Sequence, residues 1–212
     1  MEKILWIIFA AVSVLHLVSI LLSRRSLQSI SKVCLIPVLV VIYSTAAGVF
    51  QATALLALIF GWGGDILLLN GKHLRFFLLG LSSFLAGHVC YVATMLIQAG
   101  RIDGLVLALS AIAAFPLVYL VYRIIKPSRV MKIPVLVYEV VIVLMSVSCL
   151  QLFAVRRDAA AALVFGGSLF FLFSDALLGY DRFRKKLKYG NFLVMLSYII
   201  AQGCIVAGLC RL

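Results

Sequence analysis

Apolar residues along this chain run on without a short period. Eight such runs, at about 4–22, 33–50, 52–70, 74–97, 104–125, 133–153, 159–180 and 190–210, are separated by short stretches rich in Lys, Arg, Gly and Asn. Each is near the length a helix needs to cross roughly 30 Å of hydrocarbon. The second and third are the hardest to part. Val33 to Leu69 is almost continuous apolar sequence apart from Asp65, with Gly48 and Gln51 as the only hints of a turn, yet it is too long for one helix. The pattern predicts an all-α polytopic membrane protein, a bundle of about eight transmembrane helices forming one transmembrane domain over residues 1–212.

Composition closes off the soluble alternatives: 65% of the 212 residues are hydrophobic and 12% charged, with a mean hydropathy of +1.21. A net charge of +12 would otherwise point to nucleic acid, but its distribution gives it another meaning. The odd-numbered loops carry all the Lys and Arg except Lys3, Arg101, Arg156, Arg157 and Arg211. By the positive-inside rule those loops face the cytoplasm and both termini face away from it, as in a bacterial inner membrane or an endoplasmic reticulum membrane. The first span is long, lacks a small-residue cleavage site and ends at Arg24-Arg25, so it reads as a retained helix. The five cysteines lie within spans, without metal-binding spacing, and read as packing residues.

Two short segments recur four spans apart. Ile36-Pro37-Val38-Leu39-Val40 opens span two and Ile133-Pro134-Val135-Leu136-Val137 opens span six; Asp65-Ile66-Leu67-Leu68 and Asp175-Ala176-Leu177-Leu178 sit in spans three and seven. The spacing suggests two parallel four-helix repeats, an arrangement that often places a site at the repeat interface.

Candidate chemistry rests on the acids. Glu2, Asp103, Asp158 and Asp181 fall in tails or loops, where solvation explains them, and Asp65, Glu139 and Asp175 fall inside spans. An intramembrane carboxyl costs at least ~2.5 kcal/mol near the bilayer centre and normally faces protein or water. Counted from the span ends, all three lie roughly 8–9 Å inside the cytoplasmic boundary, where they either line one cavity or separately serve packing. Two carboxyl groups sharing a low-dielectric pocket divide into an acid and a base at neutral pH. Weaker candidates are His88 with Tyr91 one turn on, Tyr138 beside Glu139, Ser174 beside Asp175, and the i, i+4 pair Tyr198 and Gln202. Lys32 reads either as a ligand for a lipid phosphate or as a snorkelling anchor. There is no GxSxG, HxxxH, P-loop or GxGxxG, so serine-hydrolase, histidine-zinc and nucleotide chemistry have no support, and no metal or cofactor is expected.

These residues resemble the YhhN family of lysoplasmalogenases over most of the chain. The resemblance lies in Gly64-Asp65 with the leucines that follow and in Phe173-Ser174-Asp175 with Leu177 and Leu178. Lys32 before Pro37, Gly87-His88 with Tyr91, Pro134 with Tyr138, and Tyr198 with Gln202 add to it. It implies an eight-helix hydrolase that cleaves the vinyl ether of a lysoplasmalogen, a lysophospholipid taken from the bilayer, to a fatty aldehyde and glycerophosphoethanolamine or glycerophosphocholine. The family's two aspartate motifs carry over to Asp65 and Asp175, with Asp175 taken as acid and Asp65 as base. Glu139 has no counterpart in the family pattern. The rival expectations are a proton-coupled transporter or lipid flippase using the same acids, and a non-catalytic lipid-binding bundle.

Overall fold

The computed structural model describes residues 1–212 and contains eight helices with no strand. They are α1 Glu2–Leu21, α2 Arg25–Ala46, α3 Ala52–Leu69, α4 Leu74–Ala99, α5 Gly104–Ile125, α6 Lys132–Arg156, α7 Ala159–Phe183 and α8 Gly190–Leu209, with a 3₁₀ turn over Arg129–Met131 leading into α6. All eight are long and apolar enough to span a membrane.

The boundary between α2 and α3 falls where Gly48 and Gln51 suggested. Tyr43 pins it: its hydroxyl accepts from the Gln51 N–H at 2.8 Å and donates to the Gln51 carbonyl at 3.3 Å, while its ring stacks on Phe50. At its other end α2 starts at Arg25, eight residues before the expected span, because its polar first turns bond locally. Gln28 donates to the Ser19 carbonyl and Ser31 to the Leu27 carbonyl. Lys32 therefore projects from within a helix. Pro37 lacks the N–H that would bond the Val33 carbonyl, and the indole of Trp62 on α3 donates to that carbonyl instead, at 2.9 Å. This fixes α2 against α3 one residue from Lys32.

Three loop acids do more than meet solvent. Asp103 and Asp158 cap α5 and α7 by accepting from the second- or third-residue N–H groups. Asp181 lies in the last turn of α7, which extends to Phe183, and gathers the following loop through the Leu187 N–H and Lys186.

Neighbouring helices follow the same order in both halves: α1 with α2, α2 with α3 and α3 with α4, then α5 with α6, α6 with α7 and α7 with α8. Across the halves α4 packs on α6 and α8 on α2. The outer helices break the pattern, since α1 leans on α8 while α5 leans on α7 of its own half. The closest pairs are α3–α4 and α7–α8, held by small residues where burial of apolar surface cannot drive association within lipid. A Cβ on Gly208 would stand 2.6 Å from the Ala160 carbonyl, and one on Gly167 would stand 2.8 Å from that of Ala201. The peripheral α5 presents Leu105, Leu109, Ile112 and Phe115 outward, a surface suited to acyl chains.

Candidate active site

A cavity of about 630 Å³ opens among the ends of α2, α3, α7 and α8 and holds both Asp65 and Asp175. Its rim comes from Arg25, Asn70, Lys72, His73, Arg182 and Lys186, near the first, third and seventh loops. It therefore opens on the face where the odd loops concentrate positive charge. Counted from their helix ends the aspartates are not level, since α7 runs on past its expected end. At 1.5 Å per residue Asp65 is ~6 Å from the end of α3 and Asp175 ~12 Å from that of α7, yet they meet in one cavity.

Asp65 is only 2% exposed and doubly held. Lys32 of α2 reaches its Oδ1 at 3.3 Å, and the Tyr198 hydroxyl of α8 donates to its Oδ2 at 2.7 Å. Such partners suit a carboxylate, which only accepts. Gly64 leaves room beside it for Phe84, whose ring lies 2.5 Å from where a Cβ would be.

Asp175 is held in a related way. The Tyr138 hydroxyl of α6 donates to its Oδ2, and His88 Nε2 of α4 lies 3.7 Å from that oxygen. Because the one hydroxyl proton of Tyr138 goes to Asp175, His88 Nε2 is the donor in its 3.0 Å contact with Tyr138. The Asp175 side chain is 12% exposed, and its open side faces the cavity. Phe171 stands between the two arrangements, edge-on to His88 at 4.8 Å and to Tyr198 at 5.4 Å between ring centres.

The two arrangements share a plan. Each aspartate is met by a side chain from the preceding helix of its own half and by one from the last helix of the other half: Lys32 and Tyr198 for Asp65, Tyr138 and His88 for Asp175. His88 and Tyr198 each stand 23 residues after the aspartate of their own half. That equal spacing was available in the sequence as a second sign of the repeat, beyond the two aspartate segments.

Of the other expected site residues, Glu139 is 3% exposed and lines a narrow apolar slot that adjoins the cavity and also reaches Asp175. Ser174 lines the cavity, but its hydroxyl donates to the Val194 carbonyl and ties α7 to α8. Tyr91 and Gln202 do not line the cavity. The Tyr91 hydroxyl donates to Gln202 Oε1 at 3.0 Å, a tie between α4 and α8 behind Tyr198. Lys32 pairs with Asp65, a role that neither expectation for it included, and still borders the cavity. Cationic loops on this face were expected to meet a lipid phosphate, but Arg25, Arg182 and Lys186 could not be singled out among them, because nothing in a linear sequence brings the first and seventh loops together. Arg182 is further fixed by stacking its guanidinium 3.8 Å above the Phe77 ring.

Fold and site together define a polytopic helical membrane protein with paired intramembrane aspartates in a cation-rimmed cavity between two like halves. A family model described as the YhhN family matches residues 27–209, and the chain belongs to that family. The match leaves out α1 and the His16 it carries. No curated protein and no solved structure matches the chain.

Proposed function

We propose that this protein is a lysoplasmalogenase-like hydrolase, cleaving the vinyl ether of a lysoplasmalogen to a fatty aldehyde and a glycerophospho-alcohol by carboxyl acid–base catalysis at Asp65 and Asp175. The observation that carries the reading is the sharing of one cavity by two aspartates, each oriented by a tyrosine, beneath a cationic rim. A lysolipid has one chain and an anionic head. Arg25, Lys72 and Arg182 suit its phosphate, and the adjoining apolar slot suits the atoms just below the head group.

A vinyl ether is electron-rich at the carbon β to oxygen. Protonation there gives an oxocarbenium ion, which carboxylates stabilise while directing water onto it. The hemiacetal that forms then separates into aldehyde and alcohol. In this reading the cavity opens to the cytoplasm of a bacterial inner membrane, with both termini on the other side.

Acids at the interface of two repeats also suit a proton-coupled transporter or flippase, so the test must distinguish them. Purified protein is given a lysoplasmalogen and a saturated-ether lysolipid of equal length, beside Asp65→Asn and Asp175→Asn. Aldehyde from the vinyl ether alone, lost in both variants, is expected. Well-folded wild type that releases no aldehyde but moves the lipid across liposomes would overturn the hydrolase reading in favour of transport.

A further inference from the structure

Both aspartates are surrounded by donors: a lysine and a tyrosine at Asp65, a tyrosine with a histidine behind it at Asp175. Groups so placed hold a carboxyl in the form that accepts, which leaves the proton for the vinyl carbon without a source. A third carboxyl is close by and differently placed.

Glu139 lines a slot of about 40 Å³ with Asp175, between Leu68 of α3, Phe77, Leu81 and Phe84 of α4, Ile125 of α5, and α7. It makes no hydrogen bond and no ion pair, and no cation lines the slot. The ionisable groups near it are Asp175, Tyr138 on its own helix and, behind Tyr138, His88 of α4; α3 and α5 offer only Leu68 and Ile125. An ionised carboxylate without a partner is costly to bury, and a neighbouring carboxylate adds to that cost, so Glu139 is kept as a neutral acid. The slot has room for two or three small atoms, the size of the two vinyl carbons, and it shares Leu68, Phe77, Phe84, Asp175 and Leu178 with the larger cavity.

Resting on the hydrolase reading above, we infer that Glu139 is the proton donor of the reaction, in place of Asp175, and that Asp65 and Asp175 act as carboxylates. The Glu139 O–H bond breaks as the π pair of the vinyl group takes its proton at the carbon β to oxygen, and a lone pair of the ether oxygen completes the oxocarbenium ion. Water adds to that ion and gives its proton to Asp175, while Asp65 stabilises the positive charge. As the hemiacetal separates, Asp175 returns a proton to the departing alcohol oxygen and Glu139 takes the hydroxyl proton. Both groups regain their starting state, and one water is consumed.

The test compares wild type with Glu139→Gln and Glu139→Asp in detergent, following aldehyde release from lysoplasmalogen across pH and binding of the uncleaved saturated-ether lysolipid. In Glu139→Gln, kcat is expected to fall at least ~100-fold, with analogue affinity within about twofold of wild type. Its residual rate should rise about tenfold for each unit the pH is lowered, since hydronium must then supply the proton. Glu139→Asp should recover part of the lost rate. Turnover by Glu139→Gln within about threefold of wild type, or a low residual rate that keeps the wild-type pH profile, would overturn the inference and leave the hydrolase reading standing. If wild type releases no aldehyde, both fail.

Discussion

Replacing Lys32 with methionine keeps an unbranched side chain one atom shorter and removes its charge, leaving Asp65 with the Tyr198 hydrogen bond alone. At the observed 3.3 Å, the attraction between the two charges is about 5 kcal/mol for an effective dielectric near 20. The cost of dehydrating both groups offsets much of that in the intact pair, but losing one partner strands the other. For a pair buried this far, a loss of about 3–5 kcal/mol is expected. Reversible unfolding in mixed micelles reads it directly, because Trp62 donates to the carbonyl beside Lys32 and its fluorescence follows that contact. Asp65→Asn alone should cost less, since Lys32 is 16% exposed and water in the cavity reaches it. In the Lys32→Met/Asp65→Asn double variant, most of the loss caused by Lys32→Met should be recovered. The account is refuted if Lys32→Met stays within about 1 kcal/mol of wild type, or if the double variant is no more stable than Lys32→Met.

Gly208→Ala should destabilise the α7–α8 pair by ~1–3 kcal/mol, because its Cβ meets a backbone carbonyl that cannot move aside, whereas Gly166→Ala, with open space around it, should be neutral or stabilising in the same unfolding assay. Asp158 is held below the ordinary carboxylate range by the Ala161 N–H and by Arg156. The stability it adds is therefore present at neutral pH and is lost as the pH falls below about 4 through its lowered value; the difference in unfolding midpoint between wild type and Asp158→Asn should change over that acid window and stay constant above pH 5.

The spans were legible because the cost of burying backbone and charge in lipid leaves few alternatives, so run length and loop charge alone give the number of helices. Where helices start was less legible. Arg25 to Lys32 looks like a loop by hydropathy, yet serine and glutamine side chains bonding nearby carbonyls let α2 begin two turns early. Within the site, rarity pointed to Asp65, Asp175 and Glu139, since each is an expensive residue in a span. Their partners were hidden for a different reason. Tyr91 and Tyr198 are alike in sequence, being tyrosines near the middle of a helix, and only packing shows that one reaches Asp65 and the other Gln202. The partners of Lys32 and His88 depended likewise on how α2 and α4 are rotated, which no single-helix pattern records.

The exchange of partners between halves bears on what a single chain permits. Two copies of one four-helix unit, meeting in a membrane, must offer both carboxylates the same company, because symmetry gives each the same neighbours. Joining the copies in one polypeptide lifts that restriction. At the equivalent positions this chain has His88 facing one aspartate and Tyr198 facing the other, and the lysine in the first half has no twin beside Asp175. Two carboxyl groups of common pattern are thereby made chemically unequal. A symmetric pair of its halves could share one proton between its acids but could not fix which of them holds it, whereas the joined chain can assign each carboxyl its part.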